Sequence, residues 1–101
     1  DFKALIQDGR IQRVGVDYFD AGSVECQAAY HWQAADFSSW MDEIERFVER
    51  ADVKCYAENA FNAVSGEIPL YPLECGGRLC AEIDNQADRE VVLTRFRQEV
   101  L

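Results

Sequence analysis

Between positions 37 and 48 the apolar residues Phe37, Trp40, Met41, Ile44, Phe47 and Val48 recur at i, i+3 and i+4 without a break. That spacing gathers them on one stripe of an α-helix. A stripe this wide has to be buried against another apolar layer, so it limits the chain to folds that supply one. The pattern predicts a helix over 37–51. Asp36 suits its N-cap, because its carboxylate can accept from the free backbone N–H groups of the first turn. Asp42 and Arg46 stand at i, i+4, as do Arg46 and Arg50, so the outer face mixes signs and reads as solvated.

The surrounding segments read mostly as strands. In 10–19, Val14, Val16 and Tyr18 alternate on one face, with Ile11 and Phe19 out of phase. Asp20-Ala21-Gly22-Ser23 has turn chemistry. From 24 to 32 the alternation is clean, with Val24, Cys26, Ala28, Tyr30 and Trp32 opposite Glu25, Gln27, Ala29 and His31. The two runs together read as a β-hairpin. Val53, Cys55 and Ala57 predict a third strand, and Leu79 to Ile83 a short strand after the turn signal Glu74-Cys75-Gly76-Gly77-Arg78. Glu67 to Leu73 is extended, because Pro69 and Pro72 disfavour helix and suit an edge strand or an irregular segment. Three stretches fit two descriptions. Residues 1–8 suit a helical turn or a short strand ended by Asp8-Gly9, and 58–65 a helical turn stopped by Gly66 or more strand. The last segment suits a helix begun near Asp88 or a strand, and its Arg, Gln and Glu content favours helix. The expected architecture is α+β, a two-layer sandwich. A mainly antiparallel sheet of about four or five strands packs on the helix at 37–51, with a C-terminal helix.

At 101 residues the chain reads as one domain over 1–101. An apolar fraction of 49% is that of a globular protein rather than a disordered acidic tail. No window approaches the roughly 18 apolar residues of a membrane span. No basic region precedes an apolar one in the manner of a signal peptide, so the expectation is a cytoplasmic protein with reduced thiols. Cysteines stand at 26, 55, 75 and 80, with His31 the single histidine, and this spacing does not match a zinc site. Cys26 and Cys55 read as small buried hydrophobes, whereas Cys75 and Cys80 flank a turn where a disulfide is the alternative to free thiols. No metal or other cofactor is expected.

The charge is uneven. The chain carries −9 overall. Residues 55–88 hold Glu58, Glu67, Glu74, Glu82, Asp84 and Asp88 against one base, Arg78. Such a surface repels nucleic acid and anionic membrane and attracts basic proteins. Arg89, Arg95 and Arg97 form the one basic cluster, and packing it beside Glu82 and Asp84 would neutralise them. Tyr71, between Pro69 and Pro72, is an aromatic amid acids on a segment unsuited to full burial.

Catalytic chemistry finds little footing. On the alternation His31 points away from Cys26, and a thiol nucleophile needs a base or a helix N-terminus. Gly76-Gly77-Arg78 lacks the Lys and the following helix of a phosphate loop. The expectation is therefore a non-enzymatic acidic inhibitor, similar in size and charge to bacterial immunity proteins. It would bind a basic partner such as a nuclease toxin through Glu67, Tyr71, Glu74, Glu82 and Asp84. Two alternatives remain. One is an anti-defence protein of a phage or mobile element that mimics nucleic acid, against which the irregular spacing of the acids counts. The other is an adaptor or oligomerising domain that presents 68–73.

Overall fold

The computed structural model describes residues 2–16 and 22–100. Tyr18, Phe19, Asp20 and Ala21, assigned above to a strand and a turn, lie outside them. The order of elements is β1 (Lys3–Gln7), β2 (Arg10–Gly15), β3 (Ser23–Glu25), α1 (Ala34–Glu49), α2 (Ala57–Val64) and α3 (Gln86–Glu99). The class is α+β as expected, but the sheet has three strands among the described residues, in the order β2-β1-β3.

The hairpin is not the expected one. β1 pairs antiparallel with β2, and Asp8 (φ 54°) and Gly9 (φ 76°) make the turn between them. Two successive positive φ angles define the turn whose twist matches that of the flanking strands. β3 then pairs antiparallel with the other edge of β1, Ala4 facing Val24. The register of β1 on β2 shifts between Leu5 and Ile6, which leaves Gln12 without an opposite residue. This bulge explains why Ile11 is out of phase with Val14 in the sequence yet shares its face: both are buried. Val16 is exposed.

Beyond Glu25 the ladder stops, and the expected long strand over 24–32 is corrected to a three-residue strand followed by irregular chain. The two faces survive only in part. Cys26, Tyr30 and Trp32 are half-buried, but Val24 and Ala28 of the same expected face are exposed, as are Glu25, Gln27, Ala29 and His31. The strands expected at 53–57 and 79–83 do not form. The ambiguous 58–65 stretch belongs to α2.

α1 starts a turn earlier than expected, with Gln33 at the N-cap and Asp36 inside the first turn, where it still faces the positive end of the helix dipole. At its other end Ala51 has φ 59°. The Ala51 N–H donates to the Val48 carbonyl and that of Asp52 to the Phe47 carbonyl (both 2.9 Å). These two bonds cap the last turn, with alanine at the left-handed position a glycine usually fills. The buried stripe of α1 is narrower than the pattern implied. Trp40 is buried, Ile44 and Phe47 are half-buried, and Phe37, Met41 and Val48 are exposed. Glu43 is buried on this stripe and pairs with Arg46 (2.6 Å), which replaces the expected Asp42–Arg46 contact.

The helix layer also differs from a single helix laid on a sheet. α1 packs on α2, and α2 packs on β2. The core is Ala4, Ile11, Val14, Trp40, Ala60, Phe61, Ile68 and Leu70. Burying a side chain such as that of Phe61 stabilises the fold by roughly 1.5–3 kcal/mol. α2 and its exit also close the outer edge of β2. The Asn62 amide accepts from the Val14 N–H and donates to the Val14 carbonyl (2.8 Å each). The Ile11 N–H donates to the Leu70 carbonyl (2.7 Å). A strand edge that would otherwise present unpaired backbone is satisfied by one side chain and one extended segment.

The C-terminal segment is a helix. The Asn85 side chain accepts from the Asp88 N–H (2.8 Å) at its N-cap. No other element packs on α3 among the described residues, and none of its residues is buried.

Candidate functional site

Two regions carry polar chemistry. The first is the acidic segment. Glu67 follows the end of α2, where its N–H donates to the Val64 carbonyl (2.8 Å), and its side chain is exposed. Glu74 precedes the Gly76-Gly77 turn, Glu82 follows it, and both are exposed. Asp84 is exposed at the entry to α3, where its N–H donates to the Asp88 carboxylate (3.1 Å). The arginines of α3 do not neutralise these acids. Arg89 pairs with Glu90 (3.3 Å) and Arg95 with Glu99 (3.5 Å), both within the helix. Among the described residues no Lys or Arg pairs with Glu67, Glu74, Glu82 or Asp84.

None of the four acids lines the groove that Tyr71 lines. Glu82 returns to the body of the fold, close enough to Cys26 to raise its thiol pKa, after burial and Glu58 as the larger causes. Tyr71, 63% exposed, goes elsewhere. It lines a groove of about 270 Å³ with His31, Trp32, Gln33, Asp36, Pro69 and Leu70. The groove has aromatic and aliphatic walls, and Asp36 supplies a carboxylate. The Trp32 indole N–H is buried without an acceptor. Sequence reasoning assigned Trp32 to the core and His31 to solvent, and had no means of joining either to Tyr71. They are separated along the chain by α1 and α2, and only the packing of 68–70 against the core brings them together.

Beneath the groove lies a second feature the sequence did not announce. Glu58, at 8% exposure, accepts a hydrogen bond from the Tyr30 hydroxyl (2.8 Å). Burial, then the hydrogen bond and charge of Glu58, push the Tyr30 phenol well above its ordinary value, so it remains the donor. Around the pair the rings of Tyr30, Trp32, Trp40 and Phe61 meet at centroid separations of 5.5–5.8 Å in tilted or edge-on geometry. The Trp40 indole N–H donates to the Ala57 carbonyl (2.9 Å). The pair is packed among these rings, and the Cys26 thiol lies near it, its pKa raised by burial and then by the charges of Glu58 and Glu82.

Among the described residues no group of three His, Cys, Asp or Glu side chains is placed to hold a metal ion, and no helix is long and apolar enough to cross a membrane. No protein-family model matches the chain, and no similar curated protein or solved structure was found.

Proposed function

We propose that this protein is a non-enzymatic, acidic inhibitor that works in the manner of an immunity protein, by covering the nucleic-acid groove of a basic partner such as a nuclease toxin. The observation that carries this reading is the state of the acids. Glu67, Glu74, Glu82 and Asp84 are exposed and have no basic partner among the described residues, while Arg89 and Arg95 pair within α3. Uncompensated carboxylates speed the encounter with a positive surface and compete with the phosphates that surface normally binds. Tyr71 and the groove beside Asp36 add an aromatic contact of the kind that anchors protein interfaces.

The test is capture of a basic protein from the native host at low salt, followed by association kinetics with that protein. Reversing Glu67, Glu74 and Glu82 to Lys should slow association about tenfold or more and flatten its salt dependence. Unchanged kinetics in the triple variant would remove the acidic surface from the account.

A second reading is an adaptor or oligomerising domain. Of the 68–73 segment it would present, Ile68 and Leu70 are buried in the core, which leaves Tyr71 and Leu73 (96% exposed) for a partner, with Ile83 (55% exposed) beyond the turn. Concentration-dependent self-association, seen by sedimentation without any salt-sensitive partner, would support that reading instead.

A further inference from the structure

The acidic segment turns back on itself at Gly76-Gly77, whose φ angles are 64° and 79°. Two successive left-handed residues make a tight reversal that glycine adopts without strain. The Arg78 N–H closes it by donating to the Cys75 carbonyl (3.1 Å). Past the turn the chain returns so that the Cys80 thiol lies near that of Cys75. Both residues are exposed, and both thiols are free.

The other two cysteines are placed differently. Cys26 is half-buried beside Glu58 and Glu82. Cys55 is exposed, but its thiol donates to the Asp52 carbonyl (3.6 Å) and has no second sulfur beside it.

We propose that Cys75 and Cys80 are a redox modification site, a dithiol that closes reversibly to an intramolecular disulfide and staples the tip of the acidic segment between Glu74 and Glu82. The oxidant is a small-molecule disulfide such as oxidised glutathione. One cysteine loses its proton, and its thiolate attacks a sulfur of glutathione disulfide. A protein–glutathione disulfide forms and one glutathione thiolate leaves. The second cysteine, deprotonated in turn, attacks the protein sulfur of that mixed disulfide. The Cys75–Cys80 bond forms and the second glutathione leaves. Two protein thiols are oxidised, one glutathione disulfide is reduced to two glutathiones, and the two released protons go to the leaving thiolates.

The second step is intramolecular, because the turn brings the second thiol back near the first. An intramolecular thiol held in place outcompetes a second glutathione molecule. The neighbouring Cys80 thiol raises the Cys75 thiol pKa. The closed ring would hold Glu74 and Glu82 at a fixed separation. The redox chemistry stands on the turn and the two thiols alone, whatever the surface binds.

The test is incubation of the full chain with glutathione disulfide, followed by intact mass, thiol titration and peptide mapping. The expected product has lost two hydrogens, titrates two of its four thiols, and links Cys75 to Cys80. Trypsin cutting after Arg78, inside the ring, should leave the two fragments joined until a reductant is added. Cys75→Ser should instead stop at a stable glutathione adduct on Cys80. Adducts accumulating on Cys75 and Cys80 of the parent protein without closure would overturn the proposal. So would disulfide-linked dimers as the main product, or reaction at Cys55 while the pair stays reduced.

Discussion

The chain divides at Leu70 into two regions that handle apolar residues differently. Every buried residue lies between Ala4 and Leu70, and from Tyr71 to Val100 there is none. Both regions contain valine, leucine, isoleucine and phenylalanine, but both tryptophans stand in the first. There Trp40 of α1 and Ala60 and Phe61 of α2 turn to a shared core. In α3, Val92, Leu93, Phe96 and Val100 fall on one side of the helix, yet among the described residues no other element packs on α3 and none of its residues is buried. Between Leu70 and α3 the chain is irregular, with Pro72 and the paired glycines at its turns. The outcome is a folded body carrying an acidic arm. The radius of gyration is 15.7 Å, against about 13 Å for a compact domain of this size.

The largest expected effect belongs to the body. Trp40→Ala should cost about 3–5 kcal/mol in urea unfolding, because the indole fills the centre of the ring cluster and satisfies the Ala57 carbonyl. A loss near zero would mean that α1 does not bury this stripe. Next comes Asn62→Ala, which strips both backbone partners from buried Val14. A loss of about 1–3 kcal/mol is expected in the same assay, and a neutral result would show that water replaces the amide.

A pH titration sharpens the contrast further. The Tyr30 phenol is raised in the folded state by burial and Glu58. Its contribution to stability is therefore complete below the ordinary tyrosine value of about 10 and declines as pH rises above it, where the unfolded chain releases the proton first. The stability difference between the parent protein and Tyr30→Phe should hold steady below that pH and narrow above it. A difference flat through pH 11 would argue that the hydroxyl does not meet Glu58. The smallest effect is expected in the arm. Phe96→Ala should change stability by no more than about 0.5 kcal/mol, since Phe96 is exposed and no other described element packs on α3. A loss comparable to that of Trp40→Ala would erase the division at Leu70.

What could be read in the sequence follows the range of the interactions involved. α1 was legible because its signal is contained in one turn repeated, whereas of the alternating sides of 24–32 only Cys26, Tyr30 and Trp32 turn inward. The strand inferred from that alternation was not correct. Period-two burial needs only one side turned to the core, whereas a strand needs a neighbour with free backbone groups, and past Glu25 β1 offers none. The true hairpin was missed because Asp8-Gly9 was judged as the end of an ambiguous opening rather than as a turn between equals. α2 was masked by its shortness: Ala60, Phe61 and Val64 fit either period over so few residues. At the candidate site the exposure of Glu67, Tyr71, Glu74, Glu82 and Asp84 agrees with the polar and proline-rich character of their segment. Their separation into a groove residue, a turn and a helix entry was invisible.

The sequence alone therefore determined the properties that local chemistry enforces: an acidic chain, one strongly one-sided helix, an extended proline segment and a glycine turn between two cysteines. Only the tertiary structure decided which strand lies at the centre of the sheet, how a bulge at Gln12 turns Ile11 inward, and that Glu58 meets Tyr30 while Tyr71 lines a groove with Trp32. Those outcomes depend on contacts between residues far apart in the chain. Each of them is selected by the competition among whole packings for the same apolar surface, and no local pattern records who wins it.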